Sequence, residues 1–174
     1  MPGEDPISYV TRLAREKAQV VFSQIAADAA LNAAPGAIDI QSPAVLGADT
    51  TVTLDGQILG KPEDTEDAAR ILRMLSGRSH RVITGVALVT HGAVEVAAEV
   101  TAVQFLTLSD EEIAAYIATG EPMDKAGAYG IQGLAARWIP RVEGCYFNVM
   151  GLPLALVATM LEGRGITAQA VQHF

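Results

Sequence analysis

The chain has 174 residues, of which 50% are apolar and only 18% charged, and it carries a formal net charge of −8 at pH 7. That length suits one domain, residues 1–174, with a sizeable core; aromatics are only 5% of residues, so the core must come mainly from Ala, Val, Leu and Ile. The negative balance excludes a nucleic-acid surface, which needs clustered Lys and Arg, but it leaves room for a small polyanion in a locally basic pocket.

Asp5-Pro6 reads as an N-cap followed by proline at the first helical position. Ile7, Val10, Leu13, Ala14, Ala18 and Val21 then recur at helical spacing, which predicts an amphipathic helix from residue 6 to about 26. Lys17 falls at the edge of its buried stripe, where a lysine ordinarily snorkels to the surface. Residues 28–43 are Ala-rich and hold Pro35, Gly36 and Pro43, and they read as a loop or frayed helix end.

Residues 45–62 predict a hairpin. Val52, Leu54, Ile58 and Leu59 supply its apolar face, and Asp55-Gly56 is a dipeptide that tolerates positive φ in a tight turn. The first strand delivers Asp49 followed by two hydroxyls, and the return strand ends at Gly60-Lys61-Pro62. An acid and a lysine on neighbouring strands suit a phosphate-handling site; an edge hairpin with solvated charges fits the same residues.

Acids from Glu63 to Asp67 sit in the first turn of a second helix, as the macrodipole favours. Its stripe is Ala68, Ile71, Leu72 and Leu75, and Gly77 ends it. Two β-branched runs follow, one from Val82 to Val89 and one from Val94 to Leu106, joined at His91-Gly92-Ala93; they predict a long hairpin central to the sheet. Ser109-Asp110-Glu111-Glu112 is a capping box that opens a third helix, closed by Gly120.

Residues 120–151 are dense in glycine, which permits the close backbone approach that ligand loops need. Ile131, Leu134, Trp138, Ile139, Val142 and Val149 mark the same stretch as packed. Leu152-Pro153 starts a last helix through Leu161, and residues 166–171 read as a closing edge strand. Together these elements predict an α/β fold, a mixed twisted sheet flanked by helices. A single cysteine, Cys145, excludes an internal disulfide and fits a reducing compartment. His80, His91 and His173 are scattered and form no metal-ligand pattern. No stretch is apolar enough to span a bilayer, and Glu4 and Asp5 stand where a signal peptide would be apolar. The expectation is a soluble cytoplasmic protein with no nucleic-acid or membrane partner. Its apolar helices leave surface for a homodimer.

Five ordered segments carry a resemblance: Gly47-Ala48-Asp49-Thr50, Gly60-Lys61-Pro62, residues 79–86, residues 125–133 and residues 148–153. Through them the chain resembles the Maf family from about Pro6 to Leu161. These are nucleoside triphosphate pyrophosphatases whose fold is related to that of the inosine triphosphate pyrophosphatases. The resemblance implies cleavage between the α and β phosphates with Mg²⁺ or Mn²⁺, giving a monophosphate and pyrophosphate. By matching motif, Asp49 is the general base or metal-anchored carboxylate, and Lys61 and Lys17 are the phosphate-side cations. Thr50 and Gln132 flank the substrate and bear on base choice. Such chemistry needs positioning and charge screening more than covalent steps, so fixed lysines and a metal are the expected tools.

Gln132 also bears on the substrate. Thymine and uracil present acceptor, donor, acceptor along the pairing edge, part of which a neutral amide can match. The Ile131-Gln132-Gly133 form resembles the dTTP/UTP branch, whereas the 7-methyl-GTP branch carries Ser-Glu-Gly there. The expected substrates are therefore dTTP, UTP and modified pyrimidine nucleotides. A 7-methyl-GTP-type enzyme and a weakly catalytic, nucleotide-binding regulator linked to septum formation are the alternatives. All of this expects Asp49, Lys17, Lys61 and Gln132 to converge on one cleft. One departure stands out: family members begin with a strand and an Ala-Ser-x-Ser-Pro-Arg-Arg turn that binds the triphosphate. This chain starts downstream of it, so it reads as N-terminally truncated, with an apolar sheet edge exposed.

Overall fold

The computed structural model describes residues 4–31 and 43–166. Helix α1 spans Pro6–Leu31. Asp5 caps it, its carboxylate accepting from the Ser8 backbone N–H at 3.0 Å. The helix runs beyond residue 26 because Ala26, Ala27, Ala29 and Ala30 are the strongest helix formers. Residues 28–31 are therefore helical, and most of the expected loop, 32–42, lies outside the described residues.

Strand β1, Val45–Leu54, turns at Asp55-Gly56 into β2, Gln57–Leu59. Both turn residues have positive φ, 50° and 79°, as a two-residue hairpin turn matching the strand twist requires. Helix α2, Thr65–Leu75, is capped by Asp64, which accepts from the Asp67 N–H at 2.8 Å. Strands β3, Ser79–Thr90, and β4, Ala93–Gln104, form the long hairpin. Helix α3, Asp110–Ala118, opens on the full capping box of Ser109 and Glu112. Three short 3₁₀ turns follow, at Glu121–Asp124, Ala126–Ala128 and Leu134–Trp138. Strand β5, Arg141–Glu143, helix α4, Tyr146–Val149, and helix α5, Leu154–Glu162, complete the described chain. The edge strand expected at 166–171 lies outside the described residues except for Ile166, which is irregular.

The five strands make one sheet in the order β2-β1-β3-β4-β5. Every pairing is antiparallel. The α/β architecture is as expected, but among the described residues the strand directions are antiparallel throughout rather than mixed. The reason is local: tight turns join β1 to β2 and β3 to β4, and a two-residue turn can only connect antiparallel neighbours. On its outer side β1 pairs with β2 only at Val52–Leu54. Among the described residues no strand covers that edge at 45–51. No described helix is long and apolar enough to cross a membrane.

The sheet buries its two faces differently. Helix α1 lies on one face, where Ala14 and Ala18 meet Ala87 and Val89. A Cβ on Gly85 would stand 2.5 Å from the Val10 carbonyl carbon, and one on Gly47 would strike the Ala14 carbonyl oxygen. Glycine at both positions is what lets the helix backbone come so close. The other face carries the larger core, where Val52, Leu54, Val82 and Val103 pack under α2 and α3. Edge-to-face rings join it: His80, Phe105 and Tyr129 in one group, Tyr116 and Trp138 in another. Of the residues expected to pack at 131–149, Ile131 and Trp138 are buried, whereas Leu134 is exposed.

Candidate active site

Asp49 and Thr50 are consecutive in β1, whose pairing with β3 is unbroken from Val45 to Thr53. Consecutive strand residues point to opposite faces, and the contacts follow that rule. Asp49 lies opposite Gly85, on the α1 face. There its Oδ1 accepts from Lys17 Nζ at 2.6 Å. Lys17 is 60% exposed and Asp49 only 15%, so the lysine reaches in from solvent to a largely shielded carboxylate.

Thr50 points the other way, into a hollow of about 560 Å³. Lys61 and Gln132 line the same hollow, together with Glu121, Lys125 and Tyr129, over an apolar floor that includes Val52 and Val82. Neither Asp49 nor Lys17 is among its lining residues. The expectation of one shared cleft is therefore corrected. Thr50, Lys61 and Gln132 come together, while Asp49 and Lys17 meet each other across the strand.

Each wall has a local cause. Lys61 follows β2 directly, and Gly60 ties the turn down by accepting from the Gly127 N–H at 3.0 Å. Gln132 sits between Gly130 and Leu134, and this loop is held by Glu121. One oxygen of Glu121 accepts from the Tyr116 hydroxyl at 2.9 Å, and the other from the Leu134 N–H at 3.1 Å. The Tyr116 oxygen in turn accepts from the Gly130 N–H at 3.3 Å. Gly133 has no room for a Cβ, which would strike the Glu121 carboxylate. The stem of Lys125 passes over Gly130, and its ammonium pairs with Asp124 at 2.8 Å. Glu121 was not anticipated, and Lys125, which opens the motif at 125–133, was given no site role. The signal was their place in the same glycine-rich stretch as Gln132.

Thr50 is held by a chain of buried polar groups. Its Oγ1 lies 2.9 Å from Thr84 Oγ1, and the Thr84 hydroxyl donates to the Asn148 carbonyl at 3.0 Å. Asn148 is fully buried, its amide donating to the Val82 carbonyl and to Thr101 Oγ1. Tyr129 and His80 share a hydrogen bond of 2.8 Å. Burial lowers the His80 pKa to about 4 and raises that of Tyr129. Both are thus neutral near pH 7, and their rings pack edge to face.

Among the described residues, no three His, Cys, Asp or Glu side chains gather to hold a metal. Asp49 offers a single carboxylate, already in contact with Lys17. That donor set does not make a protein cage, but it fits Mg²⁺ or a similar ion, which takes one or two carboxylates plus phosphate oxygens and water.

The fold and these two groups define an α/β protein equipped for a small phosphorylated ligand: cations, a hydroxyl and an amide around a hollow, with an acid–lysine pair behind the strand. Its sequence matches the profile of the Maf-like protein family over residues 2–164, and the chain belongs to that family. It is 49% identical over 164 residues to a dTTP/UTP pyrophosphatase of Koribacter versatilis, covering 94% of this chain and 77% of that protein. The same name belongs to similar proteins of Chromobacterium violaceum, 49% identical with 94% and 78% covered, and of Shigella sonnei, 49% identical with 92% and 75% covered.

Proposed function

We propose that this chain is a nucleoside triphosphate pyrophosphatase of the cytoplasm, hydrolysing dTTP and UTP to the monophosphate and pyrophosphate. The observation that carries the reading is the hollow itself, which combines Thr50 and Gln132 with Lys61 and Lys125. A hydroxyl and an amide suit the polar edge of a base, and two ammonium groups suit a polyphosphate. The relatives named dTTP/UTP pyrophosphatase support the same substrate class.

In this reading the base lies against Gln132 and Thr50, and the triphosphate extends past Lys61 toward Asp49 and Lys17. Asp49 takes the proton of the water that attacks the α phosphate, and pyrophosphate departs against the lysines. Lys17, 2.6 Å from Asp49 Oδ1, orients the carboxylate. Asp49 would also hold a divalent Mg²⁺ or Mn²⁺ ion, which when bound screens the phosphate charge.

Pyrophosphate release from dTTP, UTP and 7-methyl-GTP with Mg²⁺ present tests the proposal. The unmodified chain should favour dTTP and UTP, and Asp49→Asn should lose about 100-fold or more of the rate, the usual worth of a general base. An Asp49→Asn variant that keeps its rate, or a preference for 7-methyl-GTP, would overturn it.

A further inference from the structure

We propose that Tyr116 and Glu121 are positioning residues that strap the loop carrying Gln132 into its binding shape before a nucleotide arrives, and so set the affinity for it. The inference rests on the reading that the base lies against Gln132, and it concerns two side chains to which that reading gives no role.

Glu121 is an odd lining for a hollow that takes a polyanion, because a triphosphate has no use for a negative charge there. Its hydrogen bonds supply a reason. One oxygen accepts from the Tyr116 hydroxyl at 2.9 Å, and the other accepts from the Leu134 N–H at 3.1 Å. The Tyr116 oxygen accepts from the Gly130 N–H at 3.3 Å. Backbone N–H groups only donate and a carboxylate only accepts, so each proton in this set has one possible direction. The two strapped N–H groups, at 130 and 134, stand two residues to either side of Gln132. Between them the Gly133 N–H donates to the Gly130 carbonyl at 3.1 Å and closes the loop into a turn.

The strap is anchored in the core. Tyr116 is fully buried, and its ring meets that of Trp138 edge to face at 5.1 Å. Burial, and after it the neighbouring Glu121, raises the pKa of its hydroxyl, which therefore keeps the proton it donates. Gly120, with φ of 76°, folds the chain back after α3 and returns Glu121 to Tyr116. Thr119 fixes that return: its hydroxyl donates to the Tyr116 carbonyl at 2.6 Å and accepts from the Glu121 N–H at 3.2 Å.

The consequence is one of preorganisation. The loop holds Gly130 and Gly133, and glycines lose the most conformational freedom when a chain is ordered. A loop ordered during folding does not have to be ordered again by its ligand. Without the strap, that entropy is lost in the binding step and affinity falls. The fall is felt only while Gln132 is present to be placed.

A double-mutant cycle tests this, using dissociation constants of dTTP with a methylene bridge between its α and β phosphates, which cleavage cannot consume. The proteins are the full chain, Tyr116→Phe, Gln132→Ala and the double variant. Tyr116→Phe keeps the ring against Trp138 and removes only the oxygen. It should weaken binding about five- to tenfold. In the Gln132→Ala background the same change should weaken binding less than about twofold, because no amide remains to be placed. A substitution that merely loosened the fold would weaken binding equally in both backgrounds. That equal effect, or an unchanged constant in Tyr116→Phe, would overturn the inference. Should Tyr116→Phe fail to fold, Glu121→Gln takes its place, since its amide keeps one acceptor and turns an NH₂ toward the other donor; the same dependence on Gln132 is expected. Gln132→Ala leaving the constant unchanged would instead sink the placement of the base, and this inference with it.

Discussion

The two faces of the sheet solve opposite problems. On the α1 face, helix and strands touch backbone to backbone through Gly47, Gly85, Ala14 and Ala18, leaving no space. On the other face, larger side chains stand the covering elements off and leave a hollow of about 560 Å³. The close face fixes where Lys17 and Asp49 meet. The open face makes room for a ligand. A single strand, β1, serves both, because alternation sends Asp49 one way and Thr50 the other.

If the close face is as rigid as its geometry indicates, the largest effect comes from adding one methyl group to it. Gly85→Ala puts a carbon within 2.6 Å of the Thr11 nitrogen and the Val10 oxygen, both backbone atoms that cannot rotate away. The helix must lift off the sheet, at a cost of about 3 kcal/mol or more, the upper end for overpacking. Chemical denaturation should show it. A loss under about 1 kcal/mol would mean that α1 is not held as tightly as a packed interior requires.

The open face has a different weakness, which is acid. His80 is buried with its Nε2 bonded to Tyr129 and its ring against Phe105, and its Nδ1 has no partner among the described residues. Burial lowers its pKa from 6.5 to about 4. Between those values the unfolded chain binds the extra proton and the folded chain does not, so stability falls as pH drops through that window. The loss is complete below about pH 4 and amounts to about 3 kcal/mol at most. Glu112, Asp67 and Asp124 are also held below their ordinary values by hydrogen bonds, and they lose their stabilising charge on further acidification. His80→Asn separates the two contributions. Between pH 6.5 and 4 its unfolding midpoint should stay nearly flat while that of the unmodified chain drops; parallel curves would show that His80 is not the sensor.

Much of this arrangement was legible from local chemistry. Asp5 and Ser109 cap helices because a side-chain oxygen can satisfy free N–H groups there, and Asp55-Gly56 turns because its dihedrals demand it. The stripe of α2 matched its buried face residue for residue. What failed was the inference from motif to cleft. Asp49 and Thr50 belong to one motif, yet residues adjacent on a strand cannot share a face. That rule was available from the sequence alone. The roles of Gly47, Gly85 and Glu121 were not. Each depends on which distant backbone or carboxylate lies against it, a matter of tertiary packing that no local pattern encodes.

The smallest expected effect on stability sharpens the comparison most. Lys17 and Asp49 form a short ion pair, but Lys17 is 60% exposed, and water screens such pairs. Lys17→Met keeps the stem and removes the charge, so its unfolding free energy should change by less than about 1 kcal/mol. If the pair served the fold, that would be its whole effect. If it serves a phosphate reaction, the loss of the ammonium should lower dTTP hydrolysis by about tenfold or more while the protein stays as stable as before. Measuring both quantities on one variant therefore separates a structural contact from a working one. A change in stability without a change in rate would assign Asp49 and Lys17 to the architecture of the close face and leave the hollow to act without them.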